Sequence, residues 1–115
     1  MIVSMLPFKL KSGSVADLGD VFAKHQILET AIQVEGCQTL VLATPDIEGD
    51  EAYVIGLWDD DAAYQRWIDH ENRGDATEDL LRLVAGDFDP SAPAGQWQVL
   101  RARYDADLAP GAAGA

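Results

Sequence analysis

The chain has 115 residues, 48% hydrophobic and 24% charged, a size and mixture that suit one globular domain and lie outside the polar, charge-rich range of disordered chains. Its 20 acidic residues against 8 basic ones give a net charge of -12, and a surface of that sign repels phosphate backbones and anionic lipid. Nucleic acid and membrane are excluded as expected partners, and no stretch approaches the roughly 18 apolar residues of a spanning helix.

At the N-terminus, apolar residues come before the lysines, the reverse of a secretory signal. The single cysteine, Cys37, cannot form an internal disulfide, and neither a CxxC pair nor a Cys/His cluster suggests a metal. A soluble protein of the reducing cytoplasm is expected, with no metal site.

Residues 2–10 (IVSMLPFKL) read as a first strand ending at Lys11-Ser12-Gly13, with Pro7 requiring an edge or a bulge because it cannot donate to a ladder. From Ser14 to Val34 the residues Val15, Leu18, Val21, Phe22, Leu28 and Ile32 share one helical stripe, so one long amphipathic helix capped by Ser14 or Ser12 is expected. Gly36 closes it. Cys37 to Pro45 suits a strand buried on both faces, and residues 46–50 turn the chain into a third strand over 51–58. Asp59 or Asp60 caps a helix running to about His70, and Asp75-Ala76-Thr77-Glu78 has the form of a capping box opening another through Val84. Residues 96–104 read as the last strand. The resulting domain spans 1–104, with a disordered tail over 105–115.

This order is that of the α+β, ferredoxin-like β-α-β-β-α-β unit, an antiparallel four-stranded sheet with its helices on one face. The other face is left bare, and a second copy of the chain is the simplest cover. A homodimer is expected.

The residues Leu57-Trp58, the acidic cap, and then Ala62-Ala63-Tyr64, Trp67-Ile68, His70 and Arg73 resemble the antibiotic biosynthesis monooxygenase family. Phe8 to Ser14 and Val34-Glu35-Gly36 extend the likeness over residues 1–104. The resemblance implies pairing as a dimeric α+β barrel. It also implies a family that includes enzymes oxidising aromatic polyketide phenols to quinones with dioxygen and no cofactor. A tryptophan ending the third strand and a tyrosine six residues later line the cavity in those enzymes, and Trp58 and Tyr64 match them. Where they carry an asparagine four residues before the tryptophan this chain has Val54, and their second-strand histidine is missing here. The haem-degrading branch carries an asparagine on its first strand where this chain offers only Ser4, and a haem oxygenase is not expected.

Strand alternation puts Trp58, Gly56 and Val54 on one face. The missing bulk at Gly56 reads either as a hole that accepts a planar ring or as space for a helix side chain. Tyr64, Trp67 and Ile68 share a helix side, as ordinary core or as a wall whose phenol and indole N–H meet a substrate. His25, on the expected apolar arc, reads as a satisfied core residue or as the general base for a phenol. His70 and Arg73 are candidate substrate contacts beside their plain readings as a helix-end residue and a partner of a nearby carboxylate.

A small cofactor-independent oxygenase is therefore expected, with His25, Tyr64 and Trp58 catalytic and Trp67, Val54, Gly56, His70 and Arg73 binding a planar phenol, hydroquinone or aromatic polyketide. The alternatives are a non-catalytic ligand-binding or assembly dimer and a cyclase-type proton-transfer enzyme.

Overall fold

The computed structural model describes residues 1–70, 76–86 and 94–103. In chain order the elements are β1 (Ile2–Lys9), α1 (Val15–Lys24), α2 (Ile27–Ala31), β2 (Cys37–Ala43), β3 (Glu51–Trp58), α3 (Asp61–Ile68), α4 (Thr77–Leu83) and β4 (Gly95–Gln98). The strands form one antiparallel sheet in the order β2-β3-β1-β4, the ferredoxin-like arrangement.

The alternation of side chains along β1 and β3 decides what is buried. Ile2, Ser4 and Phe8 of β1, with Ala52, Gly56 and Trp58 of β3, are buried on the helix side. Their neighbours Val3, Met5, Pro7, Tyr53, Ile55 and Leu57 take the other side, paired Val3 with Leu57, Met5 with Ile55 and Pro7 with Tyr53. That second face carries Val41 of β2 at 46% exposure, Met5 at 36% and Trp97 of β4 at 54%. An apolar surface thus crosses all four strands of the sheet.

The helix side divides into two clusters. Phe8, Leu18, Phe22 and Leu80 centre the first, where α1 and α4 lie on the sheet. Phe8 and Phe22 meet edge to face with centroids 6.0 Å apart, a geometry worth about 0.5–1.5 kcal/mol beyond the area it buries. Ile2, Trp58, Ala63, Tyr64 and Ala94 form the second, under α3. Gly36, at φ +90°, permits the close approach of α3, since a Cβ there would stand 2.5 Å from that of Ala63.

Three expectations are corrected. The single helix over Ser14 to Val34 is two: α1 ends at Lys24, and Gln26 adopts the left-handed region at φ 51°, ψ 44° before α2 begins. The hydrophobic stripe continues across the break, so periodicity alone could not reveal it. Second, β2 is a half-exposed outer strand, with Thr39, Val41 and Ala43 open, because it pairs only with β3 among the described residues. Third, β4 stops at Gln98, not at residue 104. It runs antiparallel to β1, Ile2 pairs with Gln98 and the Val99 N–H donates to the Met1 carbonyl, so the partner strand ends there.

Other expectations stand. Residues 46–50 close the β2–β3 hairpin, with the Gly49 N–H on the Asp46 carbonyl at 2.8 Å. Asp60 caps α3 by accepting from the Ala63 N–H at 2.9 Å. β4 reaches only as far as Met5 along β1, so Pro7 lies beyond the double pairing that its missing donor would interrupt. Helix α4 has Ala76 in the cap position without a side-chain cap; Asp75, where the capping box was expected to begin, and the 105–115 tail lie outside the described residues.

A left-handed conformation strains a residue with a Cβ and does not strain glycine. Gln26→Gly is expected to raise stability by about 0.5–1 kcal/mol, read as a higher urea midpoint; a lowered midpoint would contradict strain at the α1–α2 junction.

Candidate functional site

The end of β3 and the first turns of α3 set the aromatic geometry. Trp58 is fully buried, and its Nε1–H donates to the Ser4 Oγ of neighbouring β1 at 2.9 Å. Its indole lies back over Gly56, where an added Cβ would come within 2.6 Å of Nε1, 3.0 Å of the Ser4 Oγ and 3.0 Å of a Leu40 methyl. The cavity expected beside Gly56 is therefore filled by Trp58 itself. Sequence alternation correctly put the two on one face but could not show which way the indole leans.

Tyr64 packs on that indole, ring centroids 5.2 Å apart and planes at 64°. Its hydroxyl accepts the Ala94 N–H at 2.7 Å, binding α3 to the segment that enters β4. Every buried side-chain nitrogen and oxygen among the described residues has a hydrogen-bond partner. Trp67 is half-buried against the same cluster, with its ring 5.6 Å from that of His70. Val54 packs against the other cluster. Arg73 lies outside the described residues.

His25 does not join this group. The expected inward position required a continuous helix, but His25 is the C-cap of α1. Its Nε2 stands 2.8 Å from Asp79 Oδ2 on α4, whose carboxylate also holds Lys24 at 3.0 Å and Arg82 at 2.9 Å. The hydrogen bond from His25, then that from Lys24, brings the Asp79 carboxyl down to about 2. Arg82 pairs with Glu78 as well, as expected of an arginine in so acidic a chain. The Cys37 thiol is pushed up to about 11, first by burial and then by Asp59, so it is no nucleophile at neutral pH.

An open cleft of about 410 Å³ lies beside the aromatic pair. Asp61, Tyr64 and Gln65 of α3 form one wall, and Ile2 with Gln96, Trp97 and Gln98 of β4 forms the other. Tyr64 thus joins a buried indole to an accessible surface. Sequence reading missed Asp61, Gln65, Gln96, Trp97 and Gln98, although one signal was present: Gly95-Gln96-Trp97 repeats the spacing of Gly56-Leu57-Trp58. The device is the same, since a Cβ on Gly95 would come within 2.8 Å of the Trp97 ring.

With this fold and site in view, the sequence pattern of the antibiotic biosynthesis monooxygenase family matches residues 1–79, and the chain belongs to that family. No curated protein matches it. Among solved structures it is similar to a putative antibiotic biosynthesis monooxygenase from Deinococcus radiodurans, at 15% identity and TM-score 0.70, covering 91% of this chain and 98% of that one. It is likewise similar to a protein of unknown function from Nitrosomonas europaea, at 15% identity and TM-score 0.69 over 90% and 93% of the two chains. A third likeness is to SnoaB, a cofactor-independent oxygenase from Streptomyces nogalater, at 16% identity and TM-score 0.67 over 88% and 94%. At these identities the structural likenesses establish the fold.

Two outcomes follow from the geometry. Ser4→Ala strands the Trp58 N–H in the core and is expected to cost about 1–3 kcal/mol, measured by urea unfolding; an unchanged midpoint would contradict the bond. Because the Asp79 carboxyl is depressed in the folded chain, its stabilisation is present above the unfolded value of 3.8 and lost as pH falls toward 2. The stability gap between wild type and Asp79→Asn should hold steady above about pH 5 and shrink below it; a gap that widened on acidification would have the wrong sign.

Proposed function

We propose that this chain is a dimeric, cofactor-independent oxygenase whose substrate, a planar phenol, hydroquinone or anthrone, enters the cleft between α3 and β4. The observation carrying this reading is the position of Tyr64, packed on Trp58 at one end and bordering the accessible cleft at the other. Family membership and the likeness to a cofactor-independent oxygenase support the reaction class. The cleft's volume falls within the range of about 300–1,000 Å³ usual for small-molecule sites.

The titratable groups of this cleft, among the described residues, are Asp61 and Tyr64. Carboxylates as a class are about six units too acidic to deprotonate a simple phenol, and His25 is held by Asp79. The substrate must therefore ionise readily by itself, as an anthrone does when a conjugated carbonyl takes up the charge. The electron-rich anion then reacts with dioxygen, one oxygen atom ending in the new carbonyl and the other in water. The protein contributes orientation and partial exclusion of water.

A second copy covering the sheet face that carries Met5, Val41, Ile55 and Leu57 completes the proposed assembly in the cytoplasm. The expected particle has twice the chain's 12.4 kDa mass, and Val41→Arg should reduce it to the monomer in analytical ultracentrifugation; a monomeric wild type would refute the pairing.

A non-catalytic ligand-binding dimer is the second reading, favoured because the polar atoms of Trp58 and Tyr64 are already bonded within the chain. Oxygen consumption with metal-stripped protein and anthrone separates the two. The oxygenase takes up dioxygen, and Gln65→Trp, which blocks the cleft from an exposed position, lowers the rate at least about tenfold, as loss of substrate positioning does. Ligand binding with no uptake would refute the oxygenase and leave the binder.

A further inference from the structure

Gln96 and Gln98 stand two residues apart on the edge strand β4, and their pairing with Ser4 and Ile2 puts both on the helix side of the sheet. Strand rise separates their backbones by about 6.7 Å along the cleft wall. Among the described residues neither carboxamide has a hydrogen-bond partner, whereas that of Gln65 opposite donates to Asp69 Oδ1 at 3.0 Å. Asp61 is the charged residue of this lining, with no lysine or arginine among the described lining residues.

We infer that this cleft selects uncharged planar rings bearing paired oxygen substituents, with Gln96 and Gln98 recognising those oxygens and Asp61 rejecting ring carboxylates. The inference rests on the substrate reading above and narrows its chemical class. A carboxamide offers two donors and one acceptor. It can therefore donate to a ring carbonyl or, after turning over, accept from a ring hydroxyl. The same pair of residues then holds a hydroxyanthrone before oxygenation and the hydroxyanthraquinone after it, one atom of dioxygen becoming the new carbonyl oxygen and the other leaving as water, and the protein does not need to change shape between them. A carboxylated ring would meet the Asp61 carboxylate and find no cation to neutralise it, in a chain whose net charge is -12. At a few ångströms, in the intermediate dielectric of a surface cleft, such a like-charge pair weakens binding by about tenfold or more.

The test uses the full chain and two stable dyes, danthron, which is an uncharged peri-dihydroxyanthraquinone, and its ring carboxylate, rhein. Calorimetric titration of wild type should show danthron binding at least about tenfold tighter than rhein. Gln96→Leu and Gln98→Leu should each weaken danthron at least about fivefold, the worth of one net hydrogen bond, with melting temperatures unchanged because both side chains are exposed. Asp61→Asn should close the gap by raising the affinity for rhein. Danthron binding that is unchanged in both glutamine variants, or equal affinity for the two dyes, overturns this selectivity while leaving the cleft as the binding site. Failure of wild type to bind either dye overturns the cleft reading itself, and the selectivity with it.

Discussion

The seating of Trp58 governs the helix side of this protein. Its indole rests on the bare backbone of Gly56 and donates to Ser4, so β3 and β1 are tied by a side-chain bond in addition to their ladder. Tyr64 can then reach the indole edge from α3, and its hydroxyl in turn receives the Ala94 N–H ahead of β4. One buried ring therefore fixes the relative positions of the sheet centre, the overlying helix and the edge strand. The consequence for function is direct: the interior at Gly56 is closed, and the accessible face of the same aromatic assembly is the cleft bordered by Tyr64, Gln96 and Gln98.

The titratable side chains are arranged separately. His25, Lys24 and Arg82 converge on Asp79 and hold the end of α1 against α4 over the first hydrophobic cluster. This accounts for a histidine near the apolar surface that does not face the aromatic pair. It also takes the histidine expected to serve as the base away from the aromatic pair, so the chemistry proposed at the cleft depends on the acidity of the substrate.

Much of the fold was legible because it rests on alternation and turn chemistry. Ile2, Ser4, Ala52, Gly56 and Trp58 fall on the helix side as period two requires, and Asp60 caps α3 through a bond its residue type favours. The break at Gln26 was hidden because a left-handed residue other than glycine leaves no mark in the hydrophobic pattern. The length of β4 was hidden because it is set by where its partner β1 begins, which is not a local property of residues 95–104. At the site, sequence identified Trp58, Tyr64 and Trp67 as a group, and the structure brings them together. The same alternation suggested a void at Gly56, since it gives the face of a side chain but not its rotamer. The polar wall of β4 was missed because glutamines on a short edge strand look like any solvated pair until the opposing helix is in place.

The central claim is that Trp58 is a sealed structural ring and that any aromatic ligand lies outside it, against Tyr64 and β4. Nitrogen-labelled protein gives one indole N–H resonance for each of its three tryptophans, assignable with Trp67→Phe and Trp97→Phe. The Trp58 signal should exchange slowly with solvent and keep its position when danthron saturates the protein, while the side-chain amide signals of Gln96 and Gln98, which face the cleft, move. A Trp58 signal that exchanges as fast as that of Trp97, or that shifts most on saturation, would show an open interior and contradict the account.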